Sequence, residues 1–145
     1  MKKLVLLFCF LTAACITANA QVEFFLGTFD DLKRKSATND NHYFIVFEAD
    51  WCEPCKRMKR DVFVDAELGT MVDRYFMAYQ IDGESVFYKD IVKNMGVVSY
   101  PTILVFDSKN NEVARLIGYY DKESFKEELE QFLPDGNRTI YSEFR

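Results

Sequence analysis

The stretch "DWCEPCKRM", residues 50–58, follows a β-branched and aromatic run, "HYFIVFEAD" (42–50), and opens a segment with helical periodicity. Pro54 suits the first turn of a helix, where its missing N–H leaves no bond unmade. Cys52 therefore falls at a strand-to-helix junction, and Cys55 one turn further in. Three chemistries compete for this pair: a metal clasp, a structural staple and a reversible redox couple.

Which of them survives depends on how many cysteines the working protein keeps. The chain begins "MKKLVLLFCFLTAACITANAQ", with Lys2 and Lys3 ahead of an apolar run from Leu4 to about Ala14 and small residues at Ala18 and Ala20. This pattern is that of a secretory signal peptide, residues 1–20, with the mature chain starting at Gln21. The apolar run falls short of the roughly 20 residues that span a bilayer. A competing reading takes "LTAAC" as a lipoprotein box and anchors the protein through Cys15, although Thr12 fits poorly where such boxes carry an aliphatic residue. Either way the protein is expected to be exported, periplasmic or secreted, without stable membrane insertion.

Signal removal at Gln21 leaves two of the four cysteines and the single histidine, His42, and takes the formal charge from −5 to −7. An acidic chain of this kind is not built to hold nucleic acid. A structural zinc site needs four ligands, and one such molecule cannot supply them from Cys and His, so no metal is expected. A static bridge is compatible with an oxidising compartment, but closing so short a loop restricts the unfolded chain little. The redox reading uses every feature of the stretch. Unpaired N–H groups and the dipole at a helix start stabilise a thiolate at Cys52, while Cys55, facing the core, can resolve a mixed disulfide formed there.

The rest of the mature chain reads as one domain, residues 21–133, with a tail at 134–145. The 14 Phe and 8 Tyr of the chain are ample for its core. "VEFFLG" (22–27) reads as a short strand, and Thr28 with Asp31 as the capping box of a helix. Cys55, Met58 and Val62, then Leu68, Met71, Val72 and Tyr75, mark a long helix interrupted near Phe63 to Asp65. "YFMAYQI" (75–81) is a buried strand. In "DGESVFYKDIVKNMG" (82–96), Phe87, Ile91 and Met95 predict a helix face that ends at Gly96. "PTILVFD" and "EVARLIG" flank "SKNN" as a hairpin, and Phe125, Leu129, Phe132 and Leu133 stripe a last helix before Pro134. This order implies an α/β fold with a central mixed sheet flanked by helices on both faces.

Three segments together resemble the thioredoxin superfamily, over roughly residues 22 to 133. They are "ADWCEPCK" (49–56), "VVSYPTILVF" (97–106) and "GYYDKESFKEEL" (118–129). Within that superfamily, "ADWCEPCKRMKRDVFVDAEL" is most similar to the C-terminal periplasmic domain of the transmembrane disulfide interchange reductases and to small exported thioredoxins. The resemblance implies a thioredoxin fold, with Cys52 as attacking thiol, Cys55 as resolving thiol and a Cys52–Cys55 disulfide in the oxidised form. It further implies that Trp51 lies beside the site as packing or substrate surface. Pro101 is then the cis-proline facing the disulfide, and Tyr100 offers its backbone to an extended substrate.

One position departs from the family. A buried acid usually stands six residues before the first cysteine, and here that residue is Val46. Glu48, two residues on and so on the same strand face, either replaces it as proton acceptor or is a solvated strand-end charge. Glu53, between the cysteines, opposes ionisation of Cys52, and Lys56 offsets part of that effect. The expected activity is reduction of protein disulfides through the Cys-Glu-Pro-Cys dithiol, with no bound cofactor. Its partners would be disulfide-containing exported proteins and a membrane thiol electron donor. A disulfide-donating oxidase and a non-catalytic peptide-binding module are the alternatives.

Overall fold

The computed structural model describes residues 21–134; the expected signal peptide and nearly all of the C-terminal tail lie outside them. Strand β1 (His42–Glu48) is central and almost wholly buried, as its apolar run on both faces demands. It pairs in parallel with β2 (Phe76–Asp82) and antiparallel with β3 (Thr102–Phe106), and β3 pairs antiparallel with β4 (Glu112–Ile117). The sheet order is β2-β1-β3-β4, a mixed sheet. Parallel neighbours cannot be joined by a tight turn. The crossover from β1 to β2 is made by α2 (Glu53–Asp61) and α3 (Ala66–Tyr75).

The pleat sorts side chains between two cores. Phe44 and Val46 join Met58, Val62, Leu68, Met71, Phe125 and Leu129, so α2, α3 and α5 (Lys122–Glu130) cover one face. Tyr43, Ile45 and Phe47 join Leu32, Tyr79, Ile81 and Leu104, covered by α1 (Phe29–Asn39) and α4 (Lys89–Asn94). Helices on both faces of a mixed sheet are the expected architecture. The capping box at Thr28 and Asp31 is also present. The expected interruption separates α2 from α3, where the Asp65 carboxylate accepts the N–H groups of Glu67 and Leu68 and starts the second helix afresh.

Two expectations need correction. "VEFFLG" is not a strand but a single parallel bridge, Phe24 to Ala78. The Val22 N–H is taken by Phe63 O at 2.8 Å, which ties the segment's start to the α2–α3 connection, and by Leu26 the side chain is 94% exposed. Phe87 likewise lies outside the predicted helix face and is 88% exposed. Successive turns, Ser85 N–H to Asp82 O and Tyr88 N–H to Ser85 O, break the helical phase before α4 begins. Ile91 and Met95 remain against the second core.

Candidate active site

The chain leaves β1 at Glu48, turns through Ala49 to Trp51 and enters α2. Cys52 is the N-cap of that helix, with extended φ −76° and ψ 100°. Its backbone N–H is held by Ala49 O at 3.0 Å, and its Sγ accepts the Cys55 N–H at 3.2 Å. A sulfur thus takes the capping place that Ser or Asp usually fills, against one of the unpaired N–H groups of the first turn. Cys52 and Cys55 are joined as a disulfide with their Cα atoms 5.3 Å apart.

The sequence pattern turns Cys55 toward the core and makes Cys52 the attacking sulfur. Both residues are in fact shielded, Cys52 at 2% and Cys55 at 3% exposure. Ala49 and the two cysteines form a small cluster of their own, and Tyr100 packs against it. Trp51, by contrast, is 69% exposed and meets the Tyr100 ring edge-on at 5.9 Å between centroids. The Tyr100–Pro101 peptide bond is cis. Pro101 is buried at the start of β3, where its carbonyl accepts the Gly118 N–H at 2.8 Å. Trp51, Cys52, Cys55 and Tyr100 are therefore brought together, with Pro101 next in the chain.

The flanking charges divide. Glu53 stands in the first turn of α2 and, with its side chain 70% exposed, pairs loosely with Lys56 at 3.8 Å. Glu48 is no solvated strand end: its side chain is only 13% exposed and its carboxylate is paired with Lys59 of α2. Val46, at the family's acid position, is buried in the α2-side core. His42 begins β1 at the end away from the cysteines, between Phe76 and Phe132. Six residue steps along the strand separate it from Glu48, a distance of roughly 20 Å.

Some neighbours went unread in the sequence. Lys59 follows Cys55 by one helical turn, a spacing that places both on one face of α2. Arg57 stacks over the Tyr119 ring, 4.2 Å from its centroid. Gly83, whose N–H bonds Glu48 O at 2.8 Å, passes beneath Tyr100, and Glu84 lies beside the phenol. Burial, followed by the Glu84 and Asp82 carboxylates, raises the Tyr100 pKa above the ordinary phenol value. The signal for Gly83 was the "DG" pair at the end of β2, but a turn glycine and a contact glycine look alike in sequence. Among the described residues no group of three or more His, Cys, Asp or Glu is placed to hold a metal ion.

The family model for a thioredoxin-like domain matches residues 29–133. The chain belongs to the thioredoxin-like family. Among curated relatives, the thiol:disulfide interchange protein DsbD of Photorhabdus laumondii is 31% identical over 102 residues, covering 67% of this chain but 18% of that protein. The chain thus spans about a fifth of the length of the curated relatives it matches. A solved Bacteroides thetaiotaomicron protein, described as a candidate disulphide-isomerase, superposes with a TM-score of 0.64 at 30% identity. That match covers 74% of this chain and 89% of the other. The reduced DsbD C-terminal domain of Neisseria meningitidis gives a TM-score of 0.60 at 22% identity, covering 70% of this chain and 90% of that domain. This thioredoxin-like chain therefore shares its fold with the domain type that its sequence resembles.

Proposed function

We propose that this chain is an exported thiol-disulfide oxidoreductase that reduces disulfides in other exported proteins. The observation that carries the reading is the Cys52–Cys55 disulfide at the start of α2, against which Tyr100, the residue before the buried Pro101, is packed. The names of the relatives, thiol:disulfide interchange protein and disulphide-isomerase, support the same chemistry. In the reduced protein the Cys52 thiolate attacks one sulfur of a substrate disulfide. An intermolecular disulfide forms and the first substrate thiolate leaves. Cys55, as thiolate, then attacks Cys52 Sγ, which releases the second substrate thiol and regenerates the Cys52–Cys55 bridge. Two electrons have passed to the substrate, and a membrane thiol donor must return two.

In this reading residues 21–133 are the working domain and 1–20 its export signal, and the site sits in the periplasm or outside the cell. No helix among the described residues is long and apolar enough to cross a membrane. Trp51 and the Tyr100 backbone hold the substrate segment, and Pro101, which has no N–H to donate, keeps that approach free of competing bonds. Glu48, Glu53 and Lys56 tune the sulfurs, Glu48 as proton acceptor for Cys55.

The test is the reduction potential of the pair together with insulin reduction in dithiothreitol. A potential near −270 mV, about that of thioredoxin, with turnover supports the reductase. One near −120 mV, about that of a strong oxidant, makes the protein a disulfide donor instead. Absence of turnover leaves a peptide-binding module. Intact mass of the exported protein checks the export reading: a chain beginning at Gln21 supports it, and a lipidated Cys15 moves the protein to a membrane surface.

A further inference from the structure

We propose that the Tyr100 side chain is a shield over the Cys52–Cys55 disulfide, seated on Gly83, that admits extended protein segments and slows small thiols. The proposal rests on the exchange chemistry above and adds a specificity residue to it. It begins from an oddity of exposure: the two cysteines are buried although Trp51, immediately before them, is largely open to solvent. The partly buried side chain packed on the Ala49, Cys52 and Cys55 cluster is Tyr100.

The ring is held from its other side by a missing side chain. A Cβ built on Gly83 would fall 2.5 Å or less from Tyr100 Oη, Cε1 and Cζ. Gly83 is not among the glycines with positive φ, which are Gly96 and Gly118, so its backbone conformation does not itself call for glycine. The space the ring occupies does. The Gly83 N–H bond to Glu48 O fixes this floor to the end of β1, and the edge contact with Trp51 closes the side. Tyr100 is thus held among three neighbours: Gly83, Trp51 and the cluster that contains both cysteines.

Shield and substrate handle belong to one residue. An extended segment that pairs with the Tyr100 backbone acts on the chain that carries the ring and can shift it. A small thiol has no such hold and must wait for the ring to move on its own. Reduction by glutathione proceeds by attack of one glutathione thiolate on a protein sulfur, which breaks the Cys52–Cys55 bond. A second thiolate then displaces the protein sulfur, leaving two protein thiols and one oxidised glutathione. Both attacks need an approach to sulfur that the ring obstructs.

The experiment is the rate of reduction of the oxidised full chain by glutathione, followed by alkylating free thiols and measuring mass. Tyr100→Ala removes the ring, and Gly83→Ala displaces it while leaving it in the chain. Each should raise the rate by about tenfold, whereas Tyr100→Phe, which keeps the ring, should stay within about twofold of the parent. A shield acts on the barrier, so oxidation of the dithiol by oxidised glutathione should accelerate by the same factor and the equilibrium should stay put. Should one alanine variant fail to fold by circular dichroism, the other carries the test. Alanine variants that react at the parent's rate overturn the proposal, as does a Tyr100→Phe rate equal to that of Tyr100→Ala. Insulin turnover separates this failure from the other. A parent chain that does not turn over insulin removes the reductase reading, while the glutathione rates still decide the shield.

Discussion

Phe44 and Val46 of β1 point to one face of the sheet and Tyr43, Ile45 and Phe47 to the other, and the two faces are filled differently. On the α2 side every buried member is hydrocarbon or thioether, with Phe125 meeting Phe44 and Phe63 edge-on. The α1 side buries two phenols, and each has a partner: Tyr43 with Asn110 Oδ1 at 3.1 Å and Tyr79 with Gly27 O at 2.9 Å. Burial raises the pKa of both, helped by Asp107 at Tyr43 and by Tyr88 at Tyr79, so neither ionises in the ordinary range. The difference separates two jobs. Close packing fixes the helix that carries the cysteines, while hydrogen bonds from the opposite face reach out and fix loops.

The largest effect comes from breaking the first face at its chemical end. Cys52→Ser should abolish insulin reduction, and Cys55→Ser should leave a protein that accumulates mixed disulfides, seen on non-reducing gels. Because both cysteines are equally shielded, exposure cannot produce this asymmetry. Their places on α2 can, since only Cys52 caps the helix. If both variants trap partners equally, the attacking and resolving roles are wrong.

A matched pair of core truncations comes next. Met58 of α2 and Leu32 of α1 are each fully buried, one in each core. Met58→Ala and Leu32→Ala should each cost about 2–5 kcal/mol in urea denaturation, the transfer cost plus that of the cavity left behind. Only Met58→Ala should also change the rate of disulfide exchange, because Met58 lies one turn beyond Cys55 on the helix that positions both sulfurs. Equal changes in exchange from both variants would erase the division between the faces.

That division also explains what the sequence could and could not disclose. Elements with strong periodicity were legible: the β1 run, the break before Asp65 and the Phe125 and Leu129 stripe stand where the pattern placed them, while α5 ends at Glu130, short of Phe132 and Leu133, which still pack on the core. "VEFFLG" misled because three apolar residues in a row, Phe24 to Leu26, suit a strand, whereas backbone hydrogen bonds to Phe63 and Ala78 hold it as one bridge. Phe87 misled because its spacing to Ile91 assumes a helix already under way, and turns at Asp82 and Ser85 delay that helix. At the site, the cysteine pair and its proline were read from two separated segments. The Glu48–Lys59 pair and the Tyr100–Gly83 contact each join parts of the chain distant in sequence, and no local pattern encodes them.

A smaller effect is electrostatic and sits on the exposed side of the same helix. Glu53 places negative charge next to Cys52, against the stabilisation that a helix start gives a thiolate, and Lys56 at 3.8 Å offsets only part of it. Replacing Glu53 with His should lower the Cys52 pKa and raise the reduction potential by about 30 mV, or about 1.4 kcal/mol for the two-electron couple. Thiolate absorbance and equilibration with glutathione measure the two quantities. No movement in either would mean that Glu53 leaves the direction of electron flow to other residues.

The smallest effect concerns how the disulfide face is held at its helix ends. Asp65 accepts the Glu67 and Leu68 N–H groups at 3.1 and 2.9 Å and receives Lys122 of α5 at 3.3 Å, so one carboxylate both caps α3 and ties it to α5. On the opposite face Asp31 makes its cap bonds to Thr28 and its ion pair to Arg34 locally, at the start of α1. Burial alone would raise the Asp65 pKa, but the Leu68 N–H and the Lys122 ammonium outweigh it and hold the group below the ordinary 3.8. A carboxyl depressed by folding contributes stability that is complete above its unfolded pKa and is lost as pH falls through the folded one. Asp65→Ala should therefore cost about 1 kcal/mol at neutral pH. Asp65→Asn, which keeps an oxygen for the cap, should cost less there and show a shallower loss of stability below about pH 4. Urea denaturation at pH 7, 4 and 3 reads both. An acid limb for Asp65→Asn as steep as the parent's would show that the charge contributes nothing, leaving the cap bond alone to start α3.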